Sequence, residues 1–198
     1  VHLAIHIPAV QNYIAHTAVE KVGSKINGKI EFSKLTISFI NRIVIKDFSI
    51  TGGPGDTLVS AEKVAVYISL ADIIQGDIKA NRIFINDGVF NYIEEGNKES
   101  NLHRIFGLKH NPNDTTKGSW PHITIKELRI KDYRFNYVAN IPPKVPVAEG
   151  CMDYTNIGVT DINLRTYDLK TRPKKGITAK IHSLKAKEKC GLDLKNLS

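Results

Sequence analysis

One cadence recurs along this chain and restricts what it can fold into. Arg42–Ile50 reads R-I-V-I-K-D-F-S-I. Ile43 and Ile45 alternate, a polar pair follows (Lys46, Asp47), and Phe48 and Ile50 alternate after it. The pattern returns at Ile83, Ile85 and Asn86-Asp87, with Val89 and Phe90 behind it. It returns again at Leu128, Ile130, Lys131-Asp132, Tyr133 and Phe135. Ile45 to Ile85 is 40 positions, and Ile85 to Ile130 is 45. Side chains alternate faces strictly along a strand, so two apolar residues spaced by one mark a strand with one apolar face. The polar pair shifts the parity by one, which requires a bulge or bend. Recurrence at roughly 40 residues is the mark of a repeated supersecondary unit rather than of one compact catalytic core.

The rest of the chain fits around these copies. Pro8–Ile26 is predicted to be an amphipathic helix. Val10, Tyr13, Ile14, Ala18, Val22 and Ile26 fall on one stripe, Pro8 stands in the first turn and Asn27-Gly28 marks the stop. Its apolar stripe suits a membrane surface or the end of a sheet, and capping the sheet is the expectation. After Gly28 the period becomes that of strands. Ile30 and Phe32 alternate, then Leu35, Ile37 and Phe39 on the other parity. The glycine- and proline-rich stretch 51–56 is a loop, and Val64, Val66, Ile68 and Leu70 give a further strand. A helical turn is expected at Ala71–Gln75, and a short helix followed by a polar loop over 98–119. Ile123–Tyr137 is read as a long bent strand, with later strands carrying Ile157–Leu164, Ile177–Leu184 and Leu192–Leu197. The expected organisation is therefore 1–28, a helix after a removed membrane anchor; 29–97, a first β unit; 98–119, short helix and loop; and 120–198, a second β unit. The second unit is expected to continue past the last residue. The fold class is mainly β with some α: a bent, mostly antiparallel repeated sheet of about eight strands forming a groove or half-barrel. Little helix is available to cover its apolar face, so the sheet must roll up, meet another layer or hold something apolar.

Composition narrows the function. No apolar run approaches the ~20 residues that span a bilayer. Val1–Val10 is apolar but broken by His2, His6 and Pro8, and reads as the trailing edge of a membrane segment. The net charge is +8. Ten basic groups between Arg165 and Lys195, against Asp168, Glu188 and Asp193, supply most of it. An anionic partner or a solvated, lysine-guarded strand edge both produce such a tail. Nucleic-acid binding is not expected, because the tail lacks a recognition fold. Cys151 and Cys190 have no metal-ligand spacing around them, and a disulfide between them is an open alternative to two ordinary thiols. The seven histidines offer no general-base pairing, and no phosphate-cradling loop or nucleophile elbow exists. Asp47, Asp87 and Asp132, one per copy, are predicted to form a ladder across the repeat rather than converge on a substrate. No catalytic residue, metal or cofactor is therefore assigned.

The order of features resembles a known family. Ile7-Pro-Ala-Val-Gln11 leads into the helix, followed by Leu35–Phe39, Ile43–Ile50 and Asp56-Thr-Leu58. Ala61–Leu70, the turn at 73–77, Ile83–Phe90 and Asn101-Leu102 come next. Ile181-His-Ser-Leu184 then precedes Glu188-Lys-Cys-Gly-Leu-Asp-Leu194. Together they resemble the N-terminal periplasmic region of a TamB-like protein of the AsmA superfamily, of the Bacteroidetes type. Cys190 stands where that family usually has serine. The resemblance implies an inner-membrane anchor ahead of Val1 and a periplasmic β-groove that carries phospholipid toward the outer membrane. A link to the assembly or secretion of outer-membrane proteins is the alternative it implies. On that reading Ile43, Ile45, Phe48, Ile83, Ile85, Phe90, Leu128, Ile130 and Phe135 are candidates to line the groove against acyl chains. The same residues would also serve as an ordinary core.

Overall fold

Alternating apolar residues between turn signals dictate strands, and the described residues form nine of them in one sheet. The computed structural model describes residues 26–38, 42–68, 78–94, 99–107, 123–140, 147–148, 150–172 and 176–197. The strands are β1 (Lys29–Glu31), β2 (Lys34–Ser38), β3 (Arg42–Thr51), β4 (Thr57–Ile68), β5 (Ile78–Glu94), β6 (Ile123–Ala139), β7 (Asn156–Arg172), β8 (Gly176–Glu188) and β9 (Asp193–Leu197). Their order is β1-β3-β4-β5-β6-β7-β8-β9, with β2 also on β3. β1 and β2 lie end to end along the same strand, β1 against Ser49–Thr51 and β2 against Arg42–Lys46. The helix expected over Pro8–Ile26 and the turn at Ala71–Gln75 lie outside the described residues, apart from Ile26 itself, which sits in a bend.

Among the described residues, every strand pairing is antiparallel except one. β5 and β6 run parallel, with a constant offset of 45 residues from Ile78↔Ile123 to Glu94↔Ala139. That offset is the second spacing of the cadence. A parallel pair needs a crossover of a dozen or more residues. The connection after Glu94 supplies it and carries the helix α1 (Asn101–Phe106). A repeat laid parallel and in register sets each residue beside its own counterpart. Phe90 stacks on Phe135 with centroids 5.9 Å apart, and Tyr92 on Tyr137 at 5.8 Å. Asn136 Nδ2 donates to Asn91 Oδ1 at 2.8 Å. The strands before α1 and those after it are thus joined in a single sheet at β5 and β6.

The polar pairs form a crease. Asp47, Asp87 and Asp132 have φ of 51°, 50° and 52°, in the left-handed region. In all three strands the ladder skips the aspartate: Lys46↔Lys63 is followed by Phe48↔Ala61, Lys63↔Asn86 by Ala61↔Gly88, and Asn86↔Lys131 by Gly88↔Tyr133. Asp47, Glu62, Asp87 and Asp132 therefore occupy one row across β3–β6. Aspartate tolerates this conformation better than most residues because its short side chain bonds local polar groups. Ser33 Oγ donates to Asp47 Oδ2 at 2.5 Å, and Asn163 Nδ2 to Asp132 Oδ1 at 3.4 Å. Asp161 and Asp168 repeat the device in β7, both at φ 53°, where the register with β8 slips.

Among the described residues the buried apolar set is Ile37, Leu58, Ala61, Ala65, Ala80, Ile105, Ile125 and Tyr133. Beside the crease, Phe48, Ala61, Gly88 and Tyr133 share a row. Gly88 is required there, since a Cβ would strike the carbonyl oxygen of Ser60 and the ring of Tyr133. The Tyr133 hydroxyl reaches the Ser60 carbonyl at 3.0 Å and that of Val89 at 3.2 Å. α1 clamps one end of the sheet. Ser100 caps its start, Gly107 ends it at φ 60°, and Ile105 is completely buried. Asn101 accepts from the Ile93 N–H at 3.0 Å and donates to the Asn91 carbonyl at 2.9 Å, while Arg104 pairs with Asp56 at 2.6 Å.

Candidate functional site

Strand alternation separates two chemistries on the part of the sheet that precedes the crease in β3, β5 and β6. One face carries two apolar rows. Ile45, Val64, Ile85, Ile130, Leu164 and Leu184 follow one another across six strands. Ile43, Val66, Ile83 and Leu128 form the neighbouring row, which ends at Thr166. All of these apolar side chains are half-buried. On the far side of the crease, Ile50, Val59, Phe90, Phe135 and Val159 make a third row.

The nine residues singled out in the sequence are all half-buried and all fall on these lines or next to them. Ile43, Ile83 and Leu128 share one row, and Ile45, Ile85 and Ile130 share the next. Phe90 and Phe135 stack in the third. Phe48 stands apart, in the crease-side row with Ala61 and Gly88. A cavity of about 500 Å³ lies against the turn at 51–55 and Gly28, Lys29, Glu31 and Thr57, and none of the residues of the apolar rows lines it.

The opposite face was not singled out from sequence. There Arg42, Tyr67, Arg82, Glu127 and Tyr167 follow one another from β3 to β7. Val44, Ala65, Phe84, Arg129 and Arg165 form the adjacent row. Glu127 is buried and binds three guanidiniums: Arg129 at 2.7 Å, Arg165 at 2.9 Å and Arg82 at 3.5 Å. Burial alone would raise its pKa. The hydrogen bonds and charges of Arg129 and Arg165 outweigh burial and hold the carboxyl below its usual value. Arg42 lies over the ring of Tyr67 at 5.5 Å, Arg129 over Phe84 at 5.3 Å and Arg165 over Tyr167 at 5.2 Å. The signal was present in the cadence. Arg42, Arg82 and Arg129 each immediately precede an apolar strand residue, which places them on the opposite parity.

The crease aspartates are set in a row, one per strand with Glu62 between, as a ladder would be. Asp47, Asp87 and Asp132 are exposed. Lys187 draws the Asp161 carboxyl below its ordinary range from 3.0 Å, and Lys180 does the same for Asp168 from 2.8 Å. Cys151 is exposed and Cys190 half-buried, and both are free thiols. Among the described residues, no three His, Cys, Asp or Glu side chains are placed to hold a metal ion, and no helix is long and apolar enough to cross a membrane. No protein-family model matches the chain, and no curated protein matches it.

Proposed function

We propose that the chain is a non-enzymatic periplasmic module of an inner-membrane-anchored, TamB-like protein of the AsmA superfamily. In this reading it carries phospholipid acyl chains along an apolar β-groove during outer-membrane biogenesis. The observation that carries the reading is the uninterrupted apolar row from Ile45 to Leu184, with its neighbour from Ile43 to Leu128. Six strands at ~4.8 Å spacing make such a row ~24 Å long. Half of a bilayer's hydrocarbon core is ~15 Å, which is the length one acyl chain needs. Each methylene taken from water onto such a surface gains up to ~0.8 kcal/mol. The order of sequence features that resembles the family is the second support.

Native mass spectrometry and lipid extraction of the purified chain test the reading. Copurified phospholipid is expected, along with capture of lipid by a photocrosslinker at Ile85. Loss of both signals would end the transport reading for this segment.

One observation favours a second reading, an interaction scaffold in the assembly or secretion of outer-membrane proteins. In β8, Ile177 and Ile181 are exposed large apolar side chains. Exposed isoleucines on a strand are a surface on which a partner protein can dock. A crosslinker at Ile181 that captures protein, with none of the lipid signals above, would select this reading.

A further inference from the structure

We propose that the arginine-bearing face, opposite the apolar rows, docks on the phosphate headgroups of an anionic bilayer surface. Four guanidiniums lie on this one face, and a single buried carboxylate, Glu127, is shared by three of them. The face therefore keeps a net positive charge after its internal ion pairs are made. The sharing also fixes geometry. Arg129 meets Glu127 through Nε and Arg165 through Nε and Nη2, so both Nη groups of Arg129 and the Nη1 of Arg165 remain for an external acceptor. Arg82, the loosest of the three, keeps 60% of its side chain exposed. The Nε of Arg42 is buried and finds no hydrogen-bond partner among the described residues.

The arrangement selects among anionic ligands. From β3 to β7 the guanidiniums spread over four strand spacings, ~19 Å, which is too wide for one phosphate and suits a layer of headgroups. Single-stranded nucleic acid would need open aromatic faces for base stacking. Here the faces of Tyr67, Phe84 and Tyr167 already carry guanidiniums at 5.2–5.5 Å. Arginine and tyrosine side by side are also suited to the headgroup layer, where apolar bodies and polar tips both find partners. The inference does not depend on acyl carriage: a chain that never extracts lipid can still bind a vesicle surface through this face.

The test is cosedimentation of the full chain with phosphatidylcholine vesicles and with vesicles that also contain phosphatidylglycerol. Binding is expected only with phosphatidylglycerol and should weaken at high salt. Arg82→Gln is the diagnostic variant, because its pair with Glu127 is long and its side chain exposed, so the fold should tolerate the change. It should weaken vesicle binding by about fivefold, the effect of one cation at an anionic surface. Arg82→Lys should restore most of the binding. Lys195→Gln removes the same charge from β9, at the far end of the sheet, and should weaken it by less than about twofold. No binding to phosphatidylglycerol vesicles would overturn the proposal. So would equal losses from Arg82→Gln and Lys195→Gln, which would mean net charge alone. Failure of Arg82→Lys to rescue would point to a discrete phosphate site, and tighter Arg82-dependent binding of a single-stranded oligonucleotide would point to nucleic acid. Either result also overturns it.

Discussion

Asp87 is where the reason for the recurring aspartate can be isolated. It sits mid-strand in β5 with φ 50° and is exposed. Among the described residues its carboxylate makes no hydrogen bond or ion pair, unlike Asp47, Asp132, Asp161 and Asp168. If the backbone conformation dictates the residue, side chains should rank by their tolerance of positive φ. An ordinary L-residue loses about 1–2 kcal/mol in the left-handed region, and a β-branched one fares worst. Asp87→Val should therefore destabilise by about 1–2 kcal/mol. Asp87→Asn should stay within about 0.5 kcal/mol, since asparagine shares the tolerance. Asp87→Gly relieves the φ strain but loses about 0.5–1 kcal/mol of strand entropy, so it should also stay near wild type. With a urea slope of about 2 kcal/mol/M, the valine variant should unfold at a midpoint about 0.5–1 M lower. The slope itself should not change. The reasoning is refuted if Asp87→Val unfolds with the wild type while Asp87→Asn falls, because the carboxylate would then be what the position needs.

Three further outcomes follow from the packing and the charges. Glu127 is held below its usual value, so its contribution is complete above about pH 4.3 and is lost as pH falls through the lower folded value. Urea midpoints measured across acid pH should show that loss in the wild type and a flatter profile in Glu127→Gln. Burial pushes the Tyr133 hydroxyl up to about 12. Its contribution is complete below about pH 10 and falls as pH rises toward 12, so Tyr133→Phe should remove that alkaline slope and lose about 1 kcal/mol at neutral pH. Ile105 is the completely buried side chain of α1, and Ile105→Ala should cost about 2–5 kcal/mol. Amide exchange at Ile93, whose N–H is held by Asn101, should accelerate in that variant.

Much of the sheet was legible because the cadence encodes it locally. Alternation defines the strands, the parity shift at Lys46-Asp47 marks the bend, and the aspartate is a residue that can occupy positive φ. Ser100, the apolar residues from Leu102 to Phe106 and Gly107 mark a short helix for similar reasons. Strand direction was less legible. Alternation is the same in parallel and antiparallel pairs, so nothing in Ile83–Phe90 or Leu128–Phe135 states that they run side by side. Only the 45-residue spacing carries it, and the spacing becomes a register once the connection through α1 is known to cross over. The arginine face was missed because each arginine looks like an ordinary solvated position in its own strand. Glu127 gathers Arg82 from β5 and Arg165 from β7 only after the strands pair. Local parity places Arg42, Arg82 and Arg129 on that face, but their gathering around Glu127 comes from strand pairing and leaves no local motif.

The same alternation makes the two proposed roles separable by mutation. Arg82 and Ile85 are three residues apart in β5, but an odd separation in a strand sends them to opposite faces. Arg82 stands in the row with Tyr67 and Glu127, while Ile85 stands between Val64 and Ile130. Ile85→Glu puts a charge into the apolar row without touching a guanidinium. It should abolish phospholipid copurification and leave Arg82-dependent vesicle binding within about twofold of wild type. Arg82→Gln should do the reverse, weakening vesicle binding while copurified lipid persists. If each variant instead lost both properties in proportion to its loss of stability, neither face would be acting as a site and the effects would belong to folding alone. Urea midpoints of both variants make that comparison direct, because a half-buried Ile85 and a mostly exposed Arg82 should lose unequal amounts of stability.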